Sequence, residues 1–137
     1  MEQFVRVGVG VLIFNNGKFL LLKRKGSHGE GTWALPGGHL NFNESLTNCA
    51  IRELKEENGL EIIPEKVISV SNNIMYNKHY ITIGILAKFN KGEPKILEPD
   101  KCERMDWFDF DTLPNPLFIA TKSILDNYRN NNIIKLD

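Results

Sequence analysis

The sequence lacks the features that mark several specialised classes of protein. Only 2 of its 137 residues are cysteines, which excludes a small fold held together by several disulfides. No apolar stretch approaches the roughly 20 residues of a membrane-spanning helix, so no membrane association is expected. The 17 Lys and Arg residues balance the 17 Asp and Glu residues, and this balance argues against a broad basic face for long nucleic acids.

Length and composition are typical of a globular protein. Hydrophobic residues make up 42% and charged residues 25% of the sequence, values that favour one well-packed domain over residues 1–137. Near the start Arg6 interrupts the apolar run and no basic segment precedes it, so no signal peptide is expected. With Cys49 and Cys102 as the only cysteines, a reducing, cytoplasmic location is expected.

Local patterns predict strands, then a helix, further strands and a closing helix. The Asn-Asn-Gly turn at residues 15–17 predicts a hairpin. Helices are expected at about 44–58, between an Asn43 N-cap and Gly59, and from Pro116 onward. Strands are expected at 4–14, 18–22, 67–75, 80–89 and 105–110, and a glycine-rich loop at 26–38. This order indicates an α/β or α+β fold in which helices cover both faces of a mixed sheet.

The predicted helix at 44–58 carries three carboxylates on one face. At roughly 100° per residue, Glu57 and Glu56 lie about 40° and 60° to either side of Glu53. The apolar stripe overlaps this face and consists of Leu46, Ala50 and Leu54. A surface helix normally keeps its acids opposite its apolar stripe, and half-buried like charges cost several kcal/mol unless a cation compensates them. The pattern therefore predicts a metal site.

Clustered carboxylate oxygens suit a hard cation, Mg²⁺ or its substitute Mn²⁺. Zinc is not expected because the sequence has no cluster of His and Cys. Since Mg²⁺ usually shares its ligand shell with substrate phosphates, a phosphate-bearing substrate is expected. Arg52, four residues before Glu56, either holds that carboxylate in place or forms only a weak surface ion pair.

The residues around this helix resemble the Nudix box. The matching positions are Gly38, Glu44, Arg52, Glu53, Leu54, Glu56, Glu57, Gly59 and Leu60, at the box's spacing. Nudix enzymes hydrolyse a nucleoside diphosphate linked to another moiety. The resemblance therefore implies a pyrophosphohydrolase with the family's α/β/α sandwich over essentially the whole chain.

The resemblance also implies roles for individual residues. Three box glutamates would bind the divalent cations, namely Glu53, Glu56 and Glu57. Arg52 would orient these glutamates, and Gly37 and Gly38 would shape the loop before the helix. A further glutamate outside the box is expected at Glu103, with Glu98 or Asp100 as alternatives. Glu53 is the first choice for the general base and Glu103 the second.

Other stretches resemble the MutT-like branch that contains a eukaryotic diphosphatase of thiopurine nucleotides. They are residues 23–27, 35–40, 79–83 and 98–103. The resemblance implies cleavage of a nucleoside triphosphate, ordinary or modified, to a monophosphate and pyrophosphate. Arg24 would then contact phosphate oxygens, although it also fits a solvated strand end. Phe118 lies at the edge of the last helix's apolar stripe, where it reaches either a base pocket or the core.

Other functions stay open at this point. Tyr76 lies sixteen residues after Leu60, a spacing that in the family often accompanies hydrolysis of dinucleoside polyphosphates. ADP-ribose and sugar nucleotides are further candidate substrates. A non-catalytic nucleotide-sensing module is an alternative of another class, although such modules usually lose a box glutamate and none is missing here. The resembled branch contains homodimers, so a homodimer is expected.

Overall fold

The computed structural model describes residues 3–26 and 28–136. Ser27, which falls in the predicted glycine-rich loop, lies outside the described residues, as do residues 1, 2 and 137. The strands are β1 (Val5–Asn15), β2 (Lys18–Arg24), β3 (Trp33–Ala34), β4 (Gly37–His39), β5 (Glu61–Met75), β6 (Lys78–Lys91) and β7 (Cys102–Phe108). The helices are α1 (Leu46–Asn58) and α2 (Ile119–Arg129). Neither of these described helices combines the length and apolar character needed to cross a bilayer.

The described strands form one mixed sheet with β1 near its centre. The strand order is β3-β2-β1-β6-β5, with β4 also paired to β1 and β7 to β2. β1 and β2 form the predicted antiparallel hairpin, with Phe14 opposite Phe19, whereas β1 and β6 run parallel. β4, a strand that the sequence patterns did not indicate, pairs Gly37 with Gly10 of β1. It thereby fixes the glycine-rich segment against the central strand.

The two helices cover opposite faces of the sheet. Val11 and Ile13 of β1 pack in one buried cluster with Leu54 of α1. Leu12, which points to the other face, packs in a second cluster with Ile124 of α2. This division follows from the alternation of side chains along a strand. The predicted arrangement, helices on both faces of a mixed sheet, is confirmed.

Helix α1 begins two residues later than predicted. The N-cap is Ser45, whose Oγ accepts a hydrogen bond from the backbone N–H of Asn48 at 3.0 Å. The predicted N-cap, Asn43, is wrong because its backbone is left-handed, with φ 63°, whereas an N-cap residue has an extended backbone. The other end is as predicted, since Gly59 adopts φ 69° and ends the helix.

The last helix also begins later than predicted, at Ile119 and not at Pro116. The preceding segment is extended and pairs with β3. The carbonyl of Pro116 accepts from the N–H of Trp33, and the N–H of Phe118 donates to the carbonyl of Trp33, both at 2.9 Å. This pairing holds the segment out of the helix and brings Phe118 to its N-terminal boundary.

Strands β5 and β6 are longer than their patterns predicted. They meet at a two-residue turn, in which Tyr76 and Asn77 both have positive φ, as a tight hairpin turn requires. Strand β7 is shifted toward the N-terminus. It begins at Cys102, three residues before the predicted start, and ends at Phe108, two residues before the predicted end.

Candidate active site

The carboxylates of α1 meet the glycines of β4. The backbone N–H of Gly37 donates to Oε1 of Glu57 at 2.8 Å. A Cβ at Gly38 would lie 2.4 to 2.5 Å from the carboxylate atoms of Glu53, so only glycine permits this approach. Helix and strand are thus packed so closely that both carboxylates lie directly against the glycines of β4.

Arg52 organises the carboxylates around the start of α1. Its guanidinium donates to both oxygens of Glu44, at 2.7 and 2.9 Å, and to Oε1 of Glu53 at 2.7 Å. The predicted bond to Glu56 is present but longer, at 3.3 Å. A further bond to the carbonyl of His39, at 3.0 Å, ties the arginine to β4. The hydrogen bond from Arg52 lowers the pKa of Glu44 to about 2, so Glu44 is ionised and supports this network.

The three box glutamates have different surroundings. Burial raises the pKa of Glu57 to about 8, and burial also raises the pKa of Glu53. The side chain of Glu56 is 54% exposed and points toward Arg52. Two of the three carboxylates are therefore held where their charge is costly.

Glu53 and Glu57 open into a cavity of about 530 Å³. Its other charged lining residues are Arg24, Glu98, Asp100 and Lys101. Glu103 is not among the described residues that line this cavity, and its carboxylate lies 3.5 Å from the ammonium of Lys23. The structure thus places the alternatives Glu98 and Asp100 in the same cavity as Glu53 and Glu57, whereas neither Glu56 nor Glu103 is among its described lining residues.

The donor chemistry of this cavity fits a hard divalent cation. Its acidic side chains offer oxygen atoms only, and these are the ligands that Mg²⁺ prefers. Within residues 3–26 and 28–136, no three His, Cys, Asp or Glu side chains already converge closely enough to form a ready-made metal centre. Glu56 in particular faces Arg52, so full coordination requires a change of side-chain conformation.

A smaller cavity of about 130 Å³ adjoins the acidic one. The two share lining residues, among them Arg24, Gly37 and Gly38. Phe118 and Tyr80 line only the smaller cavity. The structure therefore brings all four predicted substrate-binding residues, Arg24, Gly37, Gly38 and Phe118, to one continuous cleft.

Two aromatic lining residues of the smaller cavity, Phe118 and His28, pack with Tyr76, which lies outside the described lining. The guanidinium carbon of Arg24 lies 4.4 Å from the centroid of the Phe118 ring. The ring of Tyr76, from the β5–β6 turn, stacks on Phe118 with 6.4 Å between centroids and 7° between planes. His28 lies beside both rings, with centroids 5.6 and 6.2 Å away. A flat ligand is suited to such a wall.

Sequence reasoning missed two histidines and a tyrosine of this cleft. His39 and Tyr80 are joined by a hydrogen bond of 3.1 Å between Nε2 and the phenolic oxygen. Burial lowers the pKa of both His39 and His28, and it therefore favours the neutral form of both rings. His39 directly follows the two glycines in the sequence, and this position is the one local signal for its role. Tyr80 lies in the distant strand β6, and no local sequence signal indicates that it lines the cleft.

The fold and the glutamate-bearing helix define the class of this protein, a hydrolase of pyrophosphate bonds. The NUDIX domain profile matches residues 5–128, and the chain belongs to this family. The crystal structure of a MutT NUDIX hydrolase from Burkholderia pseudomallei is similar, with a TM-score of 0.85 and 36% identity over 91% of this chain and 98% of that one.

Curated relatives differ in their substrates and lengths. The chain is 32% identical over 125 residues to the ADP-ribose pyrophosphatase of Methanocaldococcus jannaschii, which covers 90% of this chain and 73% of the relative. It is 30% identical over 104 residues to the NAD-capped RNA hydrolase of Stutzerimonas stutzeri, covering 76% of this chain but only 37% of that protein. These comparisons support a MutT-like pyrophosphohydrolase. Because the relatives act on different substrates, the comparisons do not identify the substrate of this chain.

Proposed function

We propose that the protein hydrolyses a nucleoside triphosphate, ordinary or modified, to a nucleoside monophosphate and pyrophosphate with Mg²⁺ as cofactor. The observation that carries the proposal is the continuity of the two cavities across Gly37 and Gly38. A base in the aromatic cavity has its phosphates directed into the acidic one. A small nucleotide, and not a long nucleic acid, is the substrate that such a cleft accommodates.

Arg24 is the proposed phosphate contact at the junction of the two cavities. Its side chain lines both of them, and its Nε donates to the carbonyl of His28 at 3.1 Å, which orients the guanidinium. A planar, always charged fork at this point suits the phosphate nearest the nucleoside. Phe118 and Tyr80 are the proposed base contacts.

Glu53, Glu56 and Glu57 are the proposed metal ligands. We replace Glu103 by Glu98 as the proposed additional ligand, because Glu98 lines the cavity and Glu103 does not. Glu56 does not line the cavity either, and it is kept as a ligand on the resemblance to the Nudix box alone. When bound, Mg²⁺ supplies positive charge to the polyphosphate and lowers the pKa of the attacking water. Arg52 keeps its positioning role, since it binds Glu44 and Glu53 together.

Glu53 remains the proposed general base. Water attacks the α-phosphorus, the bond from that phosphorus to the bridging oxygen breaks, and the oxygen leaves with pyrophosphate. The proton of the water passes to the carboxylate of Glu53, which the bond from Arg52 to its Oε1 holds in position. Glu103 is a weaker candidate because it is paired with Lys23 outside the described cavity lining.

A substrate panel tests the proposal. Nucleoside triphosphates, including thiopurine forms, are incubated with Mg²⁺ beside dinucleoside polyphosphates, ADP-ribose and sugar nucleotides, and products are separated by chromatography. In ¹⁸O-labelled water the label should enter the monophosphate and not pyrophosphate. Glu53→Gln should lose most turnover, and Glu103→Gln is its matched control. Absence of triphosphate hydrolysis by a folded wild-type protein contradicts the proposal.

Dinucleoside polyphosphates are the second candidate substrate. The ring of Tyr76 is 46% exposed and lies parallel to that of Phe118, so it offers a surface for a second base. Preferential cleavage of these compounds in the panel selects this alternative. Nucleotide binding that is insensitive to chelators and without hydrolysis identifies instead a non-catalytic module.

The proposal includes a cytoplasmic location and a homodimeric assembly. Cys49 and Cys102 are buried free thiols, which supports a reducing compartment such as the cytoplasm. A homodimer is proposed on the resemblance alone, and light scattering of the purified protein tests it.

A further inference from the structure

The loop between β6 and β7 is bonded to the C-terminal end of α1. The N–H of Lys95 donates to the carbonyl of Asn58, and the N–H of Leu97 donates to the carbonyl of Glu57, both at 3.1 Å. The last carbonyls of a helix have no partner within the helix, so the loop supplies the missing donors. As a result, the backbone of Glu57 is bonded directly to the residue that precedes Glu98.

The side chain of Asn58 adds a third bond to this contact. It is 1% exposed, and its Nδ2 donates to the carbonyl of Lys95 at 3.1 Å. Its Oδ1 is buried without a hydrogen-bond partner among the described residues. A buried carbonyl oxygen without a partner lowers stability, and an apolar side chain avoids this cost. What the amide contributes here is therefore its Nδ2 donor, which bonds to the loop and also lies 3.6 Å from the sulfur of Met105 in β7.

We propose that Asn58 is a positioning residue that holds Glu98 beside the carboxyl group of Glu57. This inference rests on the proposed function in one respect, that Glu98 is a metal ligand. Glu98 and Glu57 line the same cavity. The carbonyl of Glu98 also accepts from the N–H groups of Lys101 and Cys102, at 3.0 and 3.1 Å, so the loop is fixed on both sides of Glu98.

Loss of the contact with α1 would release one side of this loop. The carboxylate of Glu98 already lies 3.6 Å from the ammonium of Lys101, and its side chain is 33% exposed. A freer loop lets this carboxylate stay with Lys101 and turn toward solvent, away from Glu57. Ligands that are not held in place bind a metal less tightly, and loss of a group that orients a ligand typically weakens binding about 10 to 100-fold.

The test combines Asn58→Ala with a matched pair at Leu97, whose side chain is half-exposed. Leu97→Pro removes the N–H that bonds to Glu57, and Leu97→Ala retains it. Binding of Mn²⁺ to the full chain is measured by electron paramagnetic resonance without substrate, and backbone amide exchange is followed at Lys95. Asn58→Ala and Leu97→Pro should weaken Mn²⁺ binding about tenfold and speed exchange at Lys95, whereas Leu97→Ala should match wild type.

Steady-state kinetics distinguish a positioning role of Asn58 from a merely structural one. Both disruptive variants should need about tenfold more Mg²⁺ for half-maximal turnover. KM for the nucleotide, measured with Mg²⁺ in excess, should be unchanged, because the base pocket is not altered. Wild-type Mn²⁺ affinity and exchange in Asn58→Ala and Leu97→Pro would overturn the inference. So would wild-type Mn²⁺ affinity in Glu98→Gln, since Glu98 is then no ligand. If wild-type protein binds no Mn²⁺ and hydrolyses no nucleotide, the proposed function itself fails.

Discussion

Glu57 should make the metal-free protein less stable as the pH rises. Burial raises the pKa of this carboxyl group from 4.5 to about 8 in the folded chain. Between these values the folded protein keeps a proton that the unfolded chain has released, so the free energy of unfolding falls with increasing pH. Each pKa unit corresponds to about 1.4 kcal/mol, and the whole rise to at most about 5 kcal/mol above pH 8.

Denaturant unfolding of the chelator-treated protein at pH 5 and pH 8.5 measures this loss. Glu57→Gln keeps an oxygen for the N–H of Gly37 but has no proton to lose, so it should be more stable than wild type at pH 8.5. Its pH dependence should be smaller but not zero, because burial also raises the pKa of Glu53. Glu56→Gln, at an exposed position, is the matched control. Equal pH dependence in wild type and Glu57→Gln would refute the reasoning.

Three further substitutions and one control test the packing around Glu53, the start of α1 and the contact with the nucleotide. Gly38→Ala places a Cβ about 2.4 Å from the carboxylate of Glu53, so nucleotide hydrolysis should fall at least tenfold while circular dichroism stays that of a folded protein. Ser45→Ala removes the N-cap bond and should lower the free energy of unfolding by about 1 kcal/mol, whereas Asn43→Gly, at a left-handed position, should not destabilise. Phe118→Ala should raise KM for the nucleotide about tenfold, as expected from loss of a stacked base, and leave Mn²⁺ binding unchanged.

The sequence predicts those features that depend on neighbouring residues. The β1–β2 hairpin follows from its turn, and the shared face of Glu53 and Glu57 follows from helical geometry. Ser45 and Asn43 are both good capping residues, so the choice between them depends on a backbone conformation that the pattern does not reveal. The position of Glu103, outside the described lining of the cavity, has a longer-range cause.

Glu98 and Glu103 lie five residues apart in one acidic stretch, and local pattern does not distinguish them. The difference arises because residues 95 and 97 bond to the end of α1, which brings the following residue, Glu98, to the cavity. Glu103 lies in β7, which pairs with β2, and its carboxylate there meets Lys23 of β2. Pairing between distant segments therefore decides which of the two glutamates lines this cavity.

The charges around the larger cavity give a reason for a divalent cation that does not depend on resemblance. Its described lining carboxylates are Glu53, Glu57, Glu98 and Asp100. Its lining cations are Arg24 and Lys101, while burial favours the neutral form of both lining histidines. Arg52 forms no hydrogen bond that would stabilise the negative charge of Glu57, because its described bonds to carboxylates go to Glu44, Glu53 and Glu56. Among the lining residues alone, four ionised acids against two cations would give a net charge of −2. The metal-free protein reduces this charge by keeping a proton on Glu57, and a bound Mg²⁺ would allow that carboxyl group to ionise.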